Sequence, residues 1–276
     1  MSKSEPSSQA FHHLLITSVY PRSGKTTFTA GLSGLFRQHG LSLQAGIPFL
    51  YEANPYFEQH LNDVNWLQQT SRSQWDTIKK PKPTDLSRQE WQRGIQQIND
   101  AVLPCLIETP GTFSSPLAWW HAPEEASHFG PKVPTVIDIL TNTPSKLLLV
   151  CPKTPTLIDQ CAPLFELISS QKLPCLGWVS NTCTGQMLWP ETEWPKTEDS
   201  TSSLAAFEVQ ARYLSLQWGL PWLGNLPWIA HLEAERNSPI TLYKQLDQQI
   251  DTSAILQGMN VSIPTRIPLT LPMVSL

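Results

Sequence analysis

No stretch of this chain approaches the roughly 20 consecutive apolar residues that a membrane-spanning helix needs. The first ten residues, Met1–Ala10, are polar and lack the apolar centre of a signal peptide. Positive charge is not in excess: the formal net charge is −4 and the pI is about 6.0. That balance removes the electrostatic reason to expect nucleic acid or an anionic membrane as a partner. Cysteine is scarce and unpatterned. The five, at positions 105, 151, 161, 175 and 183, form no C-x-x-C and no Cys/His spacing of a zinc site. Several sit in or beside apolar runs, so they read as buried free thiols of a reducing compartment, and the chain is expected in the cytoplasm. His12, His13, His128 and His231 show no ligand spacing and read as surface or loop histidines. No internal repeat is present.

What is abundant is proline, 25 residues, and tryptophan, 11, in a chain of 276. The prolines fall mainly in loops and at element boundaries, which predicts a regular centre with irregular edges. Length and the 40% hydrophobic content suit one large α/β domain. His12–Thr17 is a short apolar run ending at a turn, a strand buried on both faces. Thr26–Gln38 carries Phe28, Leu32, Leu35 and Phe36 at helical spacing, with Gly40 as a stop. Leu41–Leu50 reads as a second strand. Pro55–Ser71 and Leu86–Val102 read as helices, the latter with Ser87 and Glu90 in a capping box.

Cys105–Glu108 is a short strand entering the turn Pro110-Gly111. Lys146–Cys151 is the clearest buried strand, followed by a helix at Pro155–Ser170 and a strand at Leu176–Asn181. Gln186–Ser203 is a polar insertion with little periodicity. Ser203–Trp218 is a helix and Trp222–Leu226 a last strand. Strands alternating with helices predict a mainly parallel sheet flanked by helices. Residues 1–10 are expected to form a disordered arm and 11–235 the domain, with the insertion at 186–203. Residues 236–276 supply a C-terminal helix and a Pro-rich, apolar tail.

Directly after the first strand comes Ser18-Val-Tyr-Pro-Arg-Ser23-Gly24-Lys25-Thr26-Thr27, then a helix. Backbone N–H groups at a helix N-terminus, a lysine for terminal phosphate charge and a hydroxyl for Mg²⁺ are the parts of a phosphate loop. Gly24, Lys25 and Thr26 supply them in order, with Ser23 and Thr27 alongside, so the chain is expected to bind Mg·ATP on a P-loop NTPase fold. The usual first glycine of such a loop is absent; Ser18 or Val19 stands in its place, depending on loop length.

Further blocks carry a resemblance. These are Asn62-Asp63-Val-Asn-Trp-Leu, Ile107-Glu108-Thr-Pro-Gly111-Thr-Phe-Ser-Ser-Pro116-Leu117, Leu149-Val-Cys-Pro-Lys153, Leu176-Gly-Trp-Val-Ser-Asn181 and Leu223-Gly-Asn-Leu-Pro227-Trp-Ile. With the loop they resemble dethiobiotin synthetase over about residues 13–235, in the family's order, and that family's longer loop puts its first glycine at Ser18. The resemblance implies that Asp63 and Glu108 join Thr26 in holding Mg²⁺. It also implies that Lys153 lies in the substrate site, Asn181 reads adenine and Pro227 belongs to the segment closing over the base. It implies an ATP-dependent cyclo-ligase that carboxylates a diamine with CO₂ and closes a cyclic urea, acting as a homodimer.

Three departures sit on the acceptor side. Ala45-Gly46-Ile47 is followed by Pro48 where the family has a lysine facing the phosphoryl group. The substrate-loop pattern is not visible in Trp75–Leu86. The glycine-rich turn has become Thr109-Pro110-Gly111-Thr112, and Pro155 replaces the glycine after Lys153. Lys79, Lys80 and Lys82 are the candidates to replace the missing cation. Three readings therefore stand: an enzyme of this type, a nucleotide-binding module that has lost the chemistry, or another P-loop protein, an amidoligase or a partition-type ATPase, although the extra loop lysine of the latter is absent and Tyr20 occupies its place.

Overall fold

The computed structural model describes residues 13–18, 23–51, 57–71, 75–80, 87–109, 136–152, 155–181, 200–227 and 240–261. The N-terminal arm, the 110–111 turn, Lys82, Lys153, Cys183, most of the insertion and the tail beyond 261 lie outside the described residues. So do His12, His128 and His231.

Six strands form one parallel sheet: β1 (His13–Thr17), β2 (Gln44–Gly46), β5 (Cys105–Glu108), β6 (Ser145–Pro152), β7 (Cys175–Asn181) and β8 (Trp222–Leu226). Their order is β2-β5-β1-β6-β7-β8, every neighbouring pair parallel. β3 (Phe49–Tyr51) and β4 (Ile78–Lys80) pair in parallel as a separate small sheet. The helices are α1 (Lys25–Gln38), α2 (Phe57–Ser71), α3 (Arg88–Asn99), α4 (Val136–Asn142), α5 (Pro155–Ser170), α6 (Ser200–Trp218), α7 (Ile240–Gln249) and α8 (Thr252–Gly258). No helix among the described residues is long and apolar enough to cross a membrane.

The central strands are apolar on both faces because both faces are covered. Side chains alternate across a strand, and alternate residues enter two different cores. Leu14 and Ile16 of β1, Leu106 of β5 and Leu148 and Val150 of β6 pack with α1, α2, α7 and α8. Leu15, Ile107, Leu147, Leu149 and Trp178 pack on the other side with α3, α4, α5 and α6. Each fully buried Leu, Ile or Phe in these layers contributes roughly 1.5–3 kcal/mol. The mainly parallel sheet flanked by helices predicted from the alternation is the observed architecture.

Three differences have local causes. The expected strand 41–50 is broken in two, with β2 in the large sheet and β3 in the small one. Pro48 lies at the break, where it has no N–H to give to a ladder, and its carbonyl accepts from Ile78 N–H at 2.9 Å. β4 lies in the stretch 75–86, which shows no strand periodicity. The helix α6 starts at Ser200, so the end of the 186–203 insertion is helical. The α3 capping box forms as read: Ser87 Oγ accepts from Glu90 N–H at 3.3 Å and Glu90 accepts from Ser87 N–H at 3.1 Å. His13 departs from its surface reading. It is buried on β1, and its Nδ1 accepts from Cys105 N–H at 3.2 Å. Cys105, Cys151 and Cys161 are buried and free.

The helix α7 packs directly on α1, the helix that follows the loop. Close approach is possible because Gly31 faces Leu242 and Leu246, and Gly34 faces the Tyr243 ring. A methyl at Gly34 would collide with that ring. Gly34→Ala is therefore expected to destabilise the chain by about 1–3 kcal/mol, from overpacking, despite the better helix propensity of alanine. A denaturant midpoint measures it, and pairing the change with Tyr243→Leu should recover most of the loss.

Candidate functional site

The site forms at the carboxyl ends of the parallel strands, where α/β sheets place ligands. β1 passes through α1 to β2 on one side of the sheet, while β6 leads to β7 on the other, so a crevice opens beside β1. Ser18, the residue after β1, and Ser23-Gly24 bracket the loop. Gly24 is the N-cap of α1 with φ 84°, a left-handed conformation that glycine adopts without Cβ strain. Phe28 N–H closes the first helical bond to Gly24 O at 2.9 Å. No side chain caps this terminus.

Lys25, the first residue of α1, is 4% exposed. Burial lowers its pKa below the ordinary lysine value, while the negative charges of Glu108 and Asp63 oppose that shift. Its Nζ donates to Ser18 Oγ at 3.2 Å. The residue standing where the first glycine was expected thus supplies a partner to the lysine. Thr26 Oγ1 lies 2.8 Å from Glu108 Oε1 and 3.3 Å from Asp63 Oδ2. A hydroxyl has one proton, so it donates to one carboxylate at a time, with Glu108 the closer. Asp63 comes from α2 and Glu108 from the last position of β5; they are 3% and 1% exposed.

Two threonines hold the β5 end against the β1 end. Thr109 N–H donates to Ile16 O at 3.0 Å, and Thr109 Oγ1 donates to Thr17 Oγ1 at 2.7 Å. Nothing in residue spacing flags them beyond their place at neighbouring strand ends. On the other flank, Asn181 closes β7, 2% exposed, and its Nδ2 donates to Ser23 O at 2.8 Å. In register it pairs with Pro152 and Leu226. Pro227 follows β8, half-buried. The structure therefore brings Ser23, Gly24, Lys25, Thr26, Asp63, Glu108 and Asn181 into one region, with Thr27 buried on the first turn of α1.

The donor set fits a hard divalent cation. Two buried carboxylates and a hydroxyl converge on one point beside a single buried ammonium. That leaves a formal charge of −1 before any ligand arrives. No cluster of three or more His, Cys, Asp or Glu among the described residues holds a metal by itself. An ion here would need phosphate or water oxygens as well, which is how Mg²⁺ is usually bound.

The region after β2 is arranged differently. Lys80, one of the candidates to replace the cation missing at Pro48, is paired with Glu90 at 2.7 Å. Lys79, on the opposite face of β4, is exposed. Lys80 is thus engaged in tying β4 to the start of α3 rather than facing the loop lysine.

No protein-family profile and no curated protein matches the sequence. Solved structures do. The MinC:MinD cell division protein complex of Aquifex aeolicus aligns at TM-score 0.52 and 15% identity, over 92% of this chain and 97% of that one. An ATP complex of Cyanothece McdA aligns at 0.49 and 13%, over 92% and 98%. Chloroplast FtsY of Physcomitrella patens aligns at 0.48 and 16%, over 94% of this chain, which spans 66% of the FtsY chain. The first of these likenesses shows the fold alone, a mainly parallel sheet flanked by helices as in the MinC:MinD complex. None of these three structures is a dethiobiotin synthetase, so that resemblance rests on the sequence blocks alone.

Glu90 gives a test of how β4 and α3 are joined. Hydrogen bonds from the Lys80 side chain and then from the Ser87 hydroxyl and N–H hold its carboxyl down to about 2, from an ordinary 4.5. A depressed carboxylate pKa contributes stability above 4.5 that is lost as the pH falls toward 2. Glu90→Gln should lower the melting temperature at pH 7 slightly and flatten its fall between pH 4.5 and 2. High salt should shrink the difference at pH 7, since the pair is partly exposed.

Proposed function

We propose that this chain binds Mg·ATP at Lys25–Thr26 and spends its γ-phosphoryl group on a carbamate, closing a cyclic urea as dethiobiotin synthetases do. The convergence of Asp63 and Glu108 on Thr26 Oγ1, beside a buried lysine at a helix N-terminus, carries the reading. An anion lying against the loop N–H groups sits at the positive end of α1. Lys25 would meet the terminal phosphates, whose charge would add to that of Glu108 and Asp63 in favouring its ammonium form. Thr26, Asp63 and Glu108 would hold Mg²⁺, which when bound neutralises developing charge on the transferred group.

Asn181, tied to Ser23, would hold the base side of the nucleotide against the loop, with Pro227 bordering it. Lys153 is assigned to the acceptor site by resemblance. In the reaction, an amine takes up CO₂ as a carbamate and a carbamate oxygen attacks the γ-phosphorus, so the bond to ADP breaks. The second amine then attacks the carbamate carbon, and phosphate leaves.

Pro48 favours a second reading. The second strand offers no cation where phosphoryl transfer develops charge, and such a loss costs several kcal/mol of transition-state stabilisation. With Lys80 held by Glu90, the alternative is a module that binds Mg·ATP without turning it over and acts through a protein partner or a second copy.

One experiment separates them. A thermal shift with Mg·ATP is followed by 7,8-diaminopelargonate, bicarbonate and a phosphate-release readout. Saturating Mg·ATP, at about 100 times Kd, should stabilise the protein by about 2.7 kcal/mol. Phosphate is expected only when the diamine is present. Stabilisation without phosphate moves the conclusion to the binding module; no stabilisation removes both readings. In the same assay Lys25→Ala should weaken Mg·ATP binding about 10- to 100-fold, the worth of one or two charge-assisted hydrogen bonds. Glu108→Gln should shift the Mg²⁺ requirement upward more than it shifts affinity for metal-free ATP.

A further inference from the structure

Both loop side chains that a bound nucleotide needs are already engaged inside the protein. Thr26 Oγ1 lies 2.8 Å from Glu108 Oε1, and Lys25 Nζ donates to Ser18 Oγ at 3.2 Å. The second contact is the unexpected one, since glycine, the residue expected at position 18, has no side-chain oxygen to offer. Backbone shape does not explain the exchange. Ser18 lacks the left-handed φ that favours glycine, so a side chain sits there without strain.

Lys25 and Ser18 are 4% and 6% exposed. An ammonium so far withdrawn from water needs partners within the protein. Glu108 and Asp63 bring negative charge, and Ser18 brings a directed lone pair. The same withdrawal keeps the ammonium from an anion arriving from solvent. To meet a phosphate, the lysine has to turn outward into the crevice, and Ser18 cannot follow it. Ser18 ends a strand that is hydrogen-bonded on both sides, to β5 and to β6, and the residues just before it are tied to Thr109.

We propose that Ser18 is the resting partner of Lys25, holding the ammonium inside the empty site and losing it to the phosphates when nucleotide binds. The inference rests on the reading that Mg·ATP binds at Lys25–Thr26. In this arrangement the Lys25–Ser18 bond stabilises the free protein and not the complex, so it subtracts from affinity. A ligand gains only the difference between what it offers Lys25 and what Ser18 already gives. Ser18 thus sets the nucleotide concentration at which the loop fills. It is a positioning residue, acting through Lys25 rather than by touching the phosphates.

The sign of the effect separates this role from a purely structural one. Replacing a serine that only shapes the loop would lower stability with and without nucleotide, and would weaken binding. Removing a resting partner lowers the stability of the free protein alone and tightens binding.

The test uses the full-length chain. Mg·ATP affinity is measured by titration calorimetry for wild type, Ser18→Ala, Ser18→Gly and Ser18→Thr, with melting temperatures recorded without nucleotide and at saturation. Ser18→Ala and Ser18→Gly should each bind Mg·ATP about 3- to 30-fold more tightly, the range that part of one charge-assisted hydrogen bond allows. The melting temperature of Ser18→Ala should lie below that of wild type without nucleotide and rejoin it at saturation. Ser18→Thr keeps the hydroxyl and should bind as wild type does. Two hydroxyl-free variants are used so that one misfolded protein does not decide the result. Unchanged or weaker binding in both, with wild type binding Mg·ATP, would overturn this proposal and leave the nucleotide site standing. No binding by wild type would remove the nucleotide reading and this proposal with it.

Discussion

Burying Lys25 is the constraint around which the rest is arranged. An ammonium at the first position of a helix sits at the positive end of the helix dipole, and here it is also withdrawn from water. Both effects oppose its charge. Glu108 and Asp63 counter them, and Ser18 Oγ accepts a hydrogen bond from it. Each partner comes from a different element, so β1, β5 and α2 must all be in place before the lysine is tolerated. The Thr17–Thr109 contact and the Thr109 N–H to Ile16 bond hold two of those ends together. A buried charge with its partners removed is strongly destabilising, by about 3–5 kcal/mol, so the site and the top of the sheet stand or fall together.

Much of this was legible in the sequence because parallel strands covered on both faces read as unbroken apolar runs. Lys146–Cys151 and Leu176–Asn181 are visible for that reason, and a glycine-lysine-threonine after such a run locates the loop. The α3 start was legible because a capping box is local chemistry. What escaped depended on contacts distant in the chain. His13 lies next to His12 at an apolar run and reads as surface, yet Cys105 N–H, far along the chain, gives its ring a buried partner. Ser18 reads as a missing glycine until Lys25 is seen beside it. β4 has no periodicity of its own; it exists because Pro48 ends β2 and sends the chain to a second sheet. The acids could be picked out only by resemblance, since nothing in a helix-borne Asp63 or a strand-end Glu108 says that they meet.

The two flanks of the site differ in how they are held. On the loop flank Lys25, Thr26 and Asn181 each have a described partner close to the loop. On the β2 flank the small β3–β4 sheet, with Phe49 stacked on Trp91 at 5.1 Å, occupies the region after β2, and its half-buried Lys80 is bound to Glu90. The same fold thus has one flank tied by hydrogen bonds around the loop and another built on aromatic packing.

The contact between Gly34 and Tyr243 bears on how the chain is made. α1 is the first of the described helices to leave the ribosome, yet one of its faces is completed by α7, far later in the chain. Such a long-range pairing raises contact order and slows folding. Until α7 arrives, Gly31 and Gly34 leave a furrow open to water along the helix that carries the loop. The helix that carries the loop therefore keeps that furrow unfilled until α7 has been synthesised.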